Sequence, residues 1–349
     1  MFKTIKLKSG VGYSKVMIGE SLSNICRYLP VEQAVIITDK NVWRIHGKEF
    51  PKCKVIRISP GEKAKTLGTV REIYKKLLEF EVDRSSFIAG IGGGVVCDIA
   101  GFVASTFLRG IHFGFVSSTL LSQVDASVGG KNGVNLGGYK NIIGVFNQPE
   151  FVICDLSLLS TLPERELLNG FAEIIKHAAI CDKKLFTFLE DNHKKVLSLD
   201  RNVIGKLVYD SVKIKSGIVS RDEKEKSERR KLNFGHTFGH AFEKNLGIPH
   251  GEAISAGMII ASRLSVKKGL LKEEEFERLK RLIELFGLPV VLPCDRVKAV
   301  NAIRKDKKRE NSSLHFVFLS GIGSADVKEI PIRELEKETG FFTAGILHP

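Results

Sequence analysis

The chain has 349 residues, 43% of them hydrophobic and 27% charged. That much apolar surface can offset the entropy of ordering, so wholesale disorder is excluded, and the length suits two domains. Lysine plus arginine outnumber aspartate plus glutamate by 54 to 40, a net charge of +14. This favours anionic partners but does not choose among nucleic acid, anionic lipid and phosphorylated small molecules; scattered lysines on a solvated face account for much of it.

Taken in chain order, the first 155 residues alternate strand and helix patterns. Ala34–Thr38, Lys54–Ile58, Ser85–Ile91, His112–Val116 and Phe151–Cys154 are apolar, β-branched or alternating runs that predict strands. Between them, Val70–Phe80 places Val70, Ile73, Leu77 and Leu78 on one helical face. Such alternation predicts a parallel sheet covered on both sides, with the ligand crevice at the carboxyl ends of its strands. Beyond residue 155 the spacing predicts helices over Thr161–Ala179, Val203–Val219, Phe234–Lys244, Glu252–Lys268 and Lys272–Phe286. One late strand, His315–Leu319, precedes a Gly-Ile-Gly turn, and the charged run Arg221–Lys231 reads as an exposed linker. The expected domains are therefore 1–155, α/β, and 156–349, mainly α-helical.

Four clusters could carry chemistry. Gly90, Gly92, Gly93 and Gly94 lie between a strand and a helix. Glycine lets a backbone approach a phosphate, and a helix N-terminus offers N–H groups and a positive dipole end. A tight turn that binds nothing is the alternative. Val124–Asn141 sets Lys131 and Lys140 among glycines with Asp125, Asn132 and Asn141, a way to place point charges on a phosphate; a flexible surface loop is the alternative. His236 and His240 are one helical turn apart and His250 follows within fifteen residues, so two of the three, with a carboxylate from elsewhere, could hold Zn²⁺ with an open position. The H-E-x-x-H pattern is absent. Glu173, Lys176 and His177 interrupt an apolar helix; a surface salt bridge is the plain account, and Glu173 could supply the missing carboxylate.

The six cysteines, Cys26, Cys53, Cys97, Cys154, Cys181 and Cys294, form no C-x-x-C pair, which suits a reducing, cytoplasmic compartment. The opening MFKTIKLKSG lacks the apolar core of a signal peptide, and the apolar runs fall short of the ~20 residues that span a bilayer.

Together GGGVVCDIAGF, RGI, STLLSQVDASVGGKNGVN, GYKN, AEIIKH, RRKLNFGHTFGH and PHGEA closely resemble the 3-dehydroquinate synthase family of the sugar-phosphate cyclases, over nearly the whole chain. The resemblance implies an N-terminal Rossmann-like domain with a parallel sheet, a mainly α-helical C-terminal domain, and an active site in the cleft between them. It implies a shikimate-pathway lyase that binds NAD and a divalent metal, zinc or cobalt. The implied reaction converts 3-deoxy-D-arabino-heptulosonate 7-phosphate to 3-dehydroquinate and phosphate by transient oxidation, elimination, re-reduction and aldol closure. It implies Glu173, His236 and His250 as metal ligands, with His240 instead contacting substrate. Cofactor contacts are implied for Asp39, Asn41, Glu62 and Lys65, for Gly93, Gly94, Val95 and Asp98, and for Ser118, Thr119, Leu121 and Asp125. Lys131, Lys140, Thr161, Leu162 and Glu166 complete that set. Substrate or catalytic contacts are implied for Lys131, Asn141, Lys176, Lys215, Glu225, Arg229, Asn233, His240 and one of Lys307 and Lys308. Arg109 is implied to reach a neighbouring subunit's site, hence a homodimer. Two departures, Lys131-Asn132-Gly133 for Lys-Thr-Gly and Tyr139 before Lys140, remove no polar group.

Competing readings are another sugar-phosphate cyclase of the same fold and a metal-dependent alcohol or glycerol dehydrogenase. Neither accounts as well for Lys215, Arg229, Asn233 and His240 together. A nucleic-acid-binding protein is disfavoured because no helix-turn-helix, finger or aromatic strip is present, and no membrane partner is expected.

Overall fold

The computed structural model describes residues 2–10, 12–293 and 313–337. In chain order the strands are β1 (Lys3–Ser9), β2 (Gly12–Ile18), β3 (Ala34–Asp39), β4 (Lys54–Ile58), β5 (Phe87–Gly92), β6 (His112–Ser117), β7 (Lys131–Leu136), β8 (Tyr139–Phe146), β9 (Phe151–Cys154), β10 (Ser313–Gly321) and β11 (Ser324–Pro331). The helices are α1 (Lys40–His46), α2 (Leu67–Glu79), α3 (Gly94–Thr106), α4 (Glu164–Cys181), α5 (Lys183–Leu197), α6 (Arg201–Arg221), α7 (His236–Leu246), α8 (His250–Lys267), α9 (Glu273–Leu285) and α10 (Ile332–Lys337).

Contacts divide the chain into two units: Met1–Leu167 with Arg201–Glu223, and Leu168–Asp200 with Lys224–Pro349. The division differs from the single boundary expected near 155. Helix α6 returns to the first unit because its apolar face, including Leu207, Val208 and Val212, is fully buried and packs on β1 and β2. The expected helix from Thr161 also starts later. Pro163 holds Leu162 extended, so a 3₁₀ turn (Leu156–Thr161) ends there and α4 begins at Glu164.

The first unit holds a seven-stranded sheet in the order β1-β2-β9-β6-β5-β3-β4. Its internal pairs are parallel, as expected, but the edge pair is not: β1 runs antiparallel to β2 from Lys3↔Ile18 to Ser9↔Gly12. A short turn can join only antiparallel neighbours. Asp39 starts α1 by accepting from the N–H groups of Asn41 and Val42, and Thr66 starts α2 by accepting from that of Thr69. Val70, Ile73 and Leu77 then face the sheet, each buried side chain worth about 1.5–3 kcal/mol. One core face joins Met17, Ile36, Ala89, Val116 and Ile153 with Phe87 stacked on Phe151. From Lys131 onward, the glycine-rich stretch Val124–Asn141 is not a flexible loop but part of the β7–β8 hairpin. Glycines make it possible: a Cβ on Gly133 would lie 2.5 Å from the Ile143 carbonyl oxygen.

The second unit is mainly α-helical, with α4 from Leu168 onward, α5, α7, α8 and α9 and the antiparallel β10–β11 hairpin. Among the described residues, no helix is long and apolar enough to cross a membrane.

Candidate metal centre and cofactor turns

Three helices of the second unit bring Glu173, His236 and His250 together. Their ligand atoms all lie within 4.8 Å of one another. Glu173 Oε1 is 3.2 Å from His250 Nε2 and 3.8 Å from His236 Nε2. The opposite ring nitrogens face away from this point. His236 Nδ1 is 3.1 Å from the Phe234 carbonyl oxygen, and His250 Nδ1 is 3.7 Å from Glu243 Oε2. Such partners fix which nitrogen a ring presents.

Glycine makes the geometry possible. Helices α7 and α8 approach so closely that a Cβ on Gly257 would lie 2.1 Å from the Gly235 carbonyl oxygen, and one on Gly239 would lie 3.1 Å from the Ile254 Cα. Gly235 itself has φ +79°, a left-handed conformation that begins α7. The N-terminus of α8 is then pinned to α4, where Asn169 Oδ1 accepts from the Gly251 N–H at 2.7 Å. Asn169 lies one turn before Glu173, so one helix face caps α8 and presents the carboxylate. Sequence reasoning missed Asn169, Gly257 and Glu243. The four-residue spacing of Gly235 and Gly239, beside His236 and His240, was the available signal.

The salt bridge expected between Glu173 and Lys176 forms, but in the interior: the residues are 0% and 1% exposed. Burial, with the Lys176 ammonium nearby, holds the His236 imidazole well below its ordinary range. Burial also pulls on His250, but the Glu173 and Glu243 carboxylates outweigh it and push that imidazole up to about 9. His177 is fully buried. His240 is exposed and outside the three-residue group, although its ring centroid is 5.2 Å from that of His236. Arg229 is buried on a 3₁₀ turn (Glu228–Asn233), so the charged run is not wholly a solvated linker. Asn233 donates to the Glu225 carboxylate.

The expected cofactor contacts all fall in the first unit. Asp39, Gly92–Gly93 and Ser117–Ser118 stand at the carboxyl ends of β3, β5 and β6. Gly93 precedes α3 with no side-chain cap, and Val95 and Asp98 follow in its first turns. A Cβ on Gly93 would lie 3.0 Å from Thr119, and one on Gly94 would lie 2.9 Å from Ala126. Lys65 donates to both Asp98 and Asn141. Burial raises the Asp98 carboxyl, against the pull of Lys65. Leu121 leads into a π turn (Ser122–Ala126), where Lys215 donates to the Asp125 carbonyl at 2.6 Å and to its carboxylate at 2.7 Å. Thr161 is 3.0 Å from His46 Nε2; Leu162 is partly buried and Glu166 exposed. Asn41, Glu62, Lys131, Lys140 and Asn141 are exposed, as is Arg109 at φ 68°. Lys307 and Lys308 lie outside the described residues.

Two family models match the chain: 3-dehydroquinate synthase N-terminal over residues 55–169 and 3-dehydroquinate synthase C-terminal over residues 170–309. A 3-dehydroquinate synthase of Desulforamulus reducens is 43% identical over 309 residues, covering 85% of this chain and 86% of its own. Two solved structures share the fold. A 2-epi-5-epi-valiolone synthase from Streptomyces hygroscopicus subsp. jinggangensis, with NAD⁺ and Zn²⁺ bound, is 27% identical with a TM-score of 0.86, covering 98% of each chain. A 2-deoxy-scyllo-inosose synthase complexed with carbaglucose-6-phosphate, NAD⁺ and Co²⁺ is 26% identical with a TM-score of 0.85, covering 97% of this chain and 99% of that one. With 43% identity across most of both sequences, the chain belongs to the 3-dehydroquinate synthase family.

Proposed function

We propose that this chain converts 3-deoxy-D-arabino-heptulosonate 7-phosphate to 3-dehydroquinate and phosphate, as an NAD- and divalent-metal-dependent lyase. The observation that carries the reading is the convergence of Glu173, His236 and His250. Two imidazole nitrogens and one carboxylate oxygen, with the far ring nitrogens turned to other partners, suit zinc or cobalt with a position left for substrate. The uncapped start of α3 among glycines suits a diphosphate. The chemistry these groups supply when bound is hydride uptake and return by the nicotinamide and polarisation of one substrate hydroxyl by the cation.

The chain's own residues do the rest. Lys131, Lys176, Lys215 and Arg229 balance the substrate's carboxylate and phosphate, and Arg109 of a second copy adds to them. Lys176 and Lys215 are already held by Glu173 and Asp125, so little reorganisation accompanies charge development. Asn233, fixed by Glu225, and His240 offer hydrogen bonds to hydroxyl groups. Asn141 and one of Lys307 and Lys308 add polar contacts. Oxidation of a ring carbon acidifies the neighbouring C–H; phosphate then leaves, and the hydride returns, so no net redox change results.

A homodimer in the cytoplasm completes the proposal. Exposed Arg109 and the exposed apolar residues Leu136, Tyr139, Ile142 and Phe146 of the hairpin support the dimer. Phosphate release from the heptulosonate phosphate, with and without NAD⁺ and a chelator, tests the activity. Release that depends on NAD⁺, stops with chelator and leaves no net NADH is expected. Net NADH from simple alcohols would instead establish a dehydrogenase, and turnover only of another sugar phosphate a different cyclase.

A further inference from the structure

The β7–β8 ladder runs regularly from Lys131↔Phe146 to Val134↔Ile143 and resumes at Leu136↔Tyr139. Asn135 alone therefore stands opposite Lys140, Asn141 and Ile142. Extra residues on one strand bend it and re-aim its side chains. Asn141 sits in this bulge at φ 53°, a left-handed conformation that asparagine tolerates.

Asn135 makes three hydrogen bonds here. Its Oδ1 accepts from the Asn141 N–H at 2.8 Å, and its Nδ2 donates to Glu62 Oε1 at 2.8 Å. Its backbone N–H donates to the Lys65 carbonyl oxygen at 2.9 Å. An N–H on one side and a carboxylate on the other fix which way the amide faces. Asn141 in turn accepts from the Lys65 ammonium. The hairpin as a whole has separate support: Asn132 Nδ2 donates to the Asn147 carbonyl oxygen at 2.8 Å, and Asn147 Nδ2 to Ser105 Oγ at 3.0 Å. Removing the Asn135 amide should therefore alter the bulge and leave the hairpin folded.

We propose that Asn135 is a positioning residue: it holds the bulge that aims Lys140 and Asn141 and, through its other amide atom, holds Glu62. One side chain would thus couple the residues assigned to substrate with those assigned to cofactor. The ligands named in this proposal rest on the function proposed above.

The test uses the full chain with Asn135→Leu, which loses both side-chain bonds, and Asn135→Asp, which keeps the acceptor for the Asn141 N–H and loses the donor to Glu62. In the leucine variant, KM for the heptulosonate phosphate and the calorimetric Kd for NAD⁺ should each rise about tenfold, with kcat changing less. In the aspartate variant, Kd for NAD⁺ should rise as far while KM stays within about threefold of wild type. General weakening of the hairpin would not split the two constants. Tryptic cleavage after Lys140 in the ligand-free chain should be about tenfold faster for leucine and slower than that for aspartate. Both constants within twofold of wild type for leucine, or equal shifts of both in aspartate, would overturn the proposal. If the leucine variant does not fold, the split in aspartate decides alone. If wild type releases no phosphate, the functional reading fails, and the cleavage rates then judge Asn135: rates equal to wild type overturn it.

Discussion

The α4–α7–α8 junction and the β7–β8 hairpin both carry residues assigned to ligands, and they hold them by opposite means. At the junction, glycines let three helices close to backbone contact, and Glu173 and Lys176 are buried. Position there comes from packing, which is stiff because interiors are close-packed. On the hairpin, Lys131, Lys140 and Asn141 are exposed, and the bulge that carries Lys140 and Asn141 is held by a few polar bonds centred on Asn135 and Lys65. A polyvalent cation needs fixed distances, whereas an anion contacted by long lysines does not.

The largest effect expected separates the two regions by readout. His236→Ala and Lys131→Ala should each lower turnover by about 10³-fold or more, but elemental analysis should find metal lost only from the first. Equal metal loss in both would erase the distinction. Next, Lys176→Met leaves the Glu173 carboxylate buried with its ammonium partner gone and should destabilise the metal-free chain by about 3–5 kcal/mol, measured by urea unfolding. A loss below 1 kcal/mol would mean that water reaches the pair. Gly257→Ala and Gly137→Ala set packing against strain. The first adds a Cβ against the Gly235 carbonyl and should cost about 3 kcal/mol and weaken metal binding. The second meets no atom within 4 Å but keeps φ +59°, so about 1 kcal/mol and unchanged metal affinity are expected.

The smallest effect concerns pH and lies away from both regions. Burial would raise Glu20, but hydrogen bonds from Tyr28, Asn24 and the Ser21 N–H outweigh it and lower its carboxyl below 4.5. Burial, then Glu20, pushes the Tyr28 hydroxyl up to about 12 from 10. The lowered carboxyl contributes stability above pH 4.5 that fades as pH falls below it. The raised phenol contributes stability below pH 10 that is lost as pH climbs towards 12. The difference in urea midpoint between wild type and Tyr28→Phe should therefore be flat from about pH 6 to 9 and shrink at both extremes. A difference independent of pH would show that the pair is not linked to folding.

Much of the first unit was legible because its signals are local. Strands β4 and β9 begin and end where apolar, β-branched runs do, and the glycines after β5 mark the strand-to-helix turn. Some local signals went unread: Ile5 and Leu7 alternate with polar residues in β1, and α5 repeats Leu185, Phe186 and Leu189 at helical spacing. The hairpin was obscured because its glycines break the alternation that marks a strand.

Residue types and their chain order nominated Glu173 and two of His236, His240 and His250; only the family resemblance picked out His236 and His250. Four cations, Lys65, Lys176, Lys215 and Arg229, are buried among the described residues, and each had been singled out as a site residue. Their burial was not foreseeable, since a lysine looks the same in a string whether water or a carboxylate surrounds it. Glu173 stands 63 residues before His236, and His236 stands 14 before His250. Periodicity reaches only a few turns along the chain. Whether those three meet depends on the Gly235–Gly257 contact and the Asn169–Gly251 bond, which exist only after the helices pack.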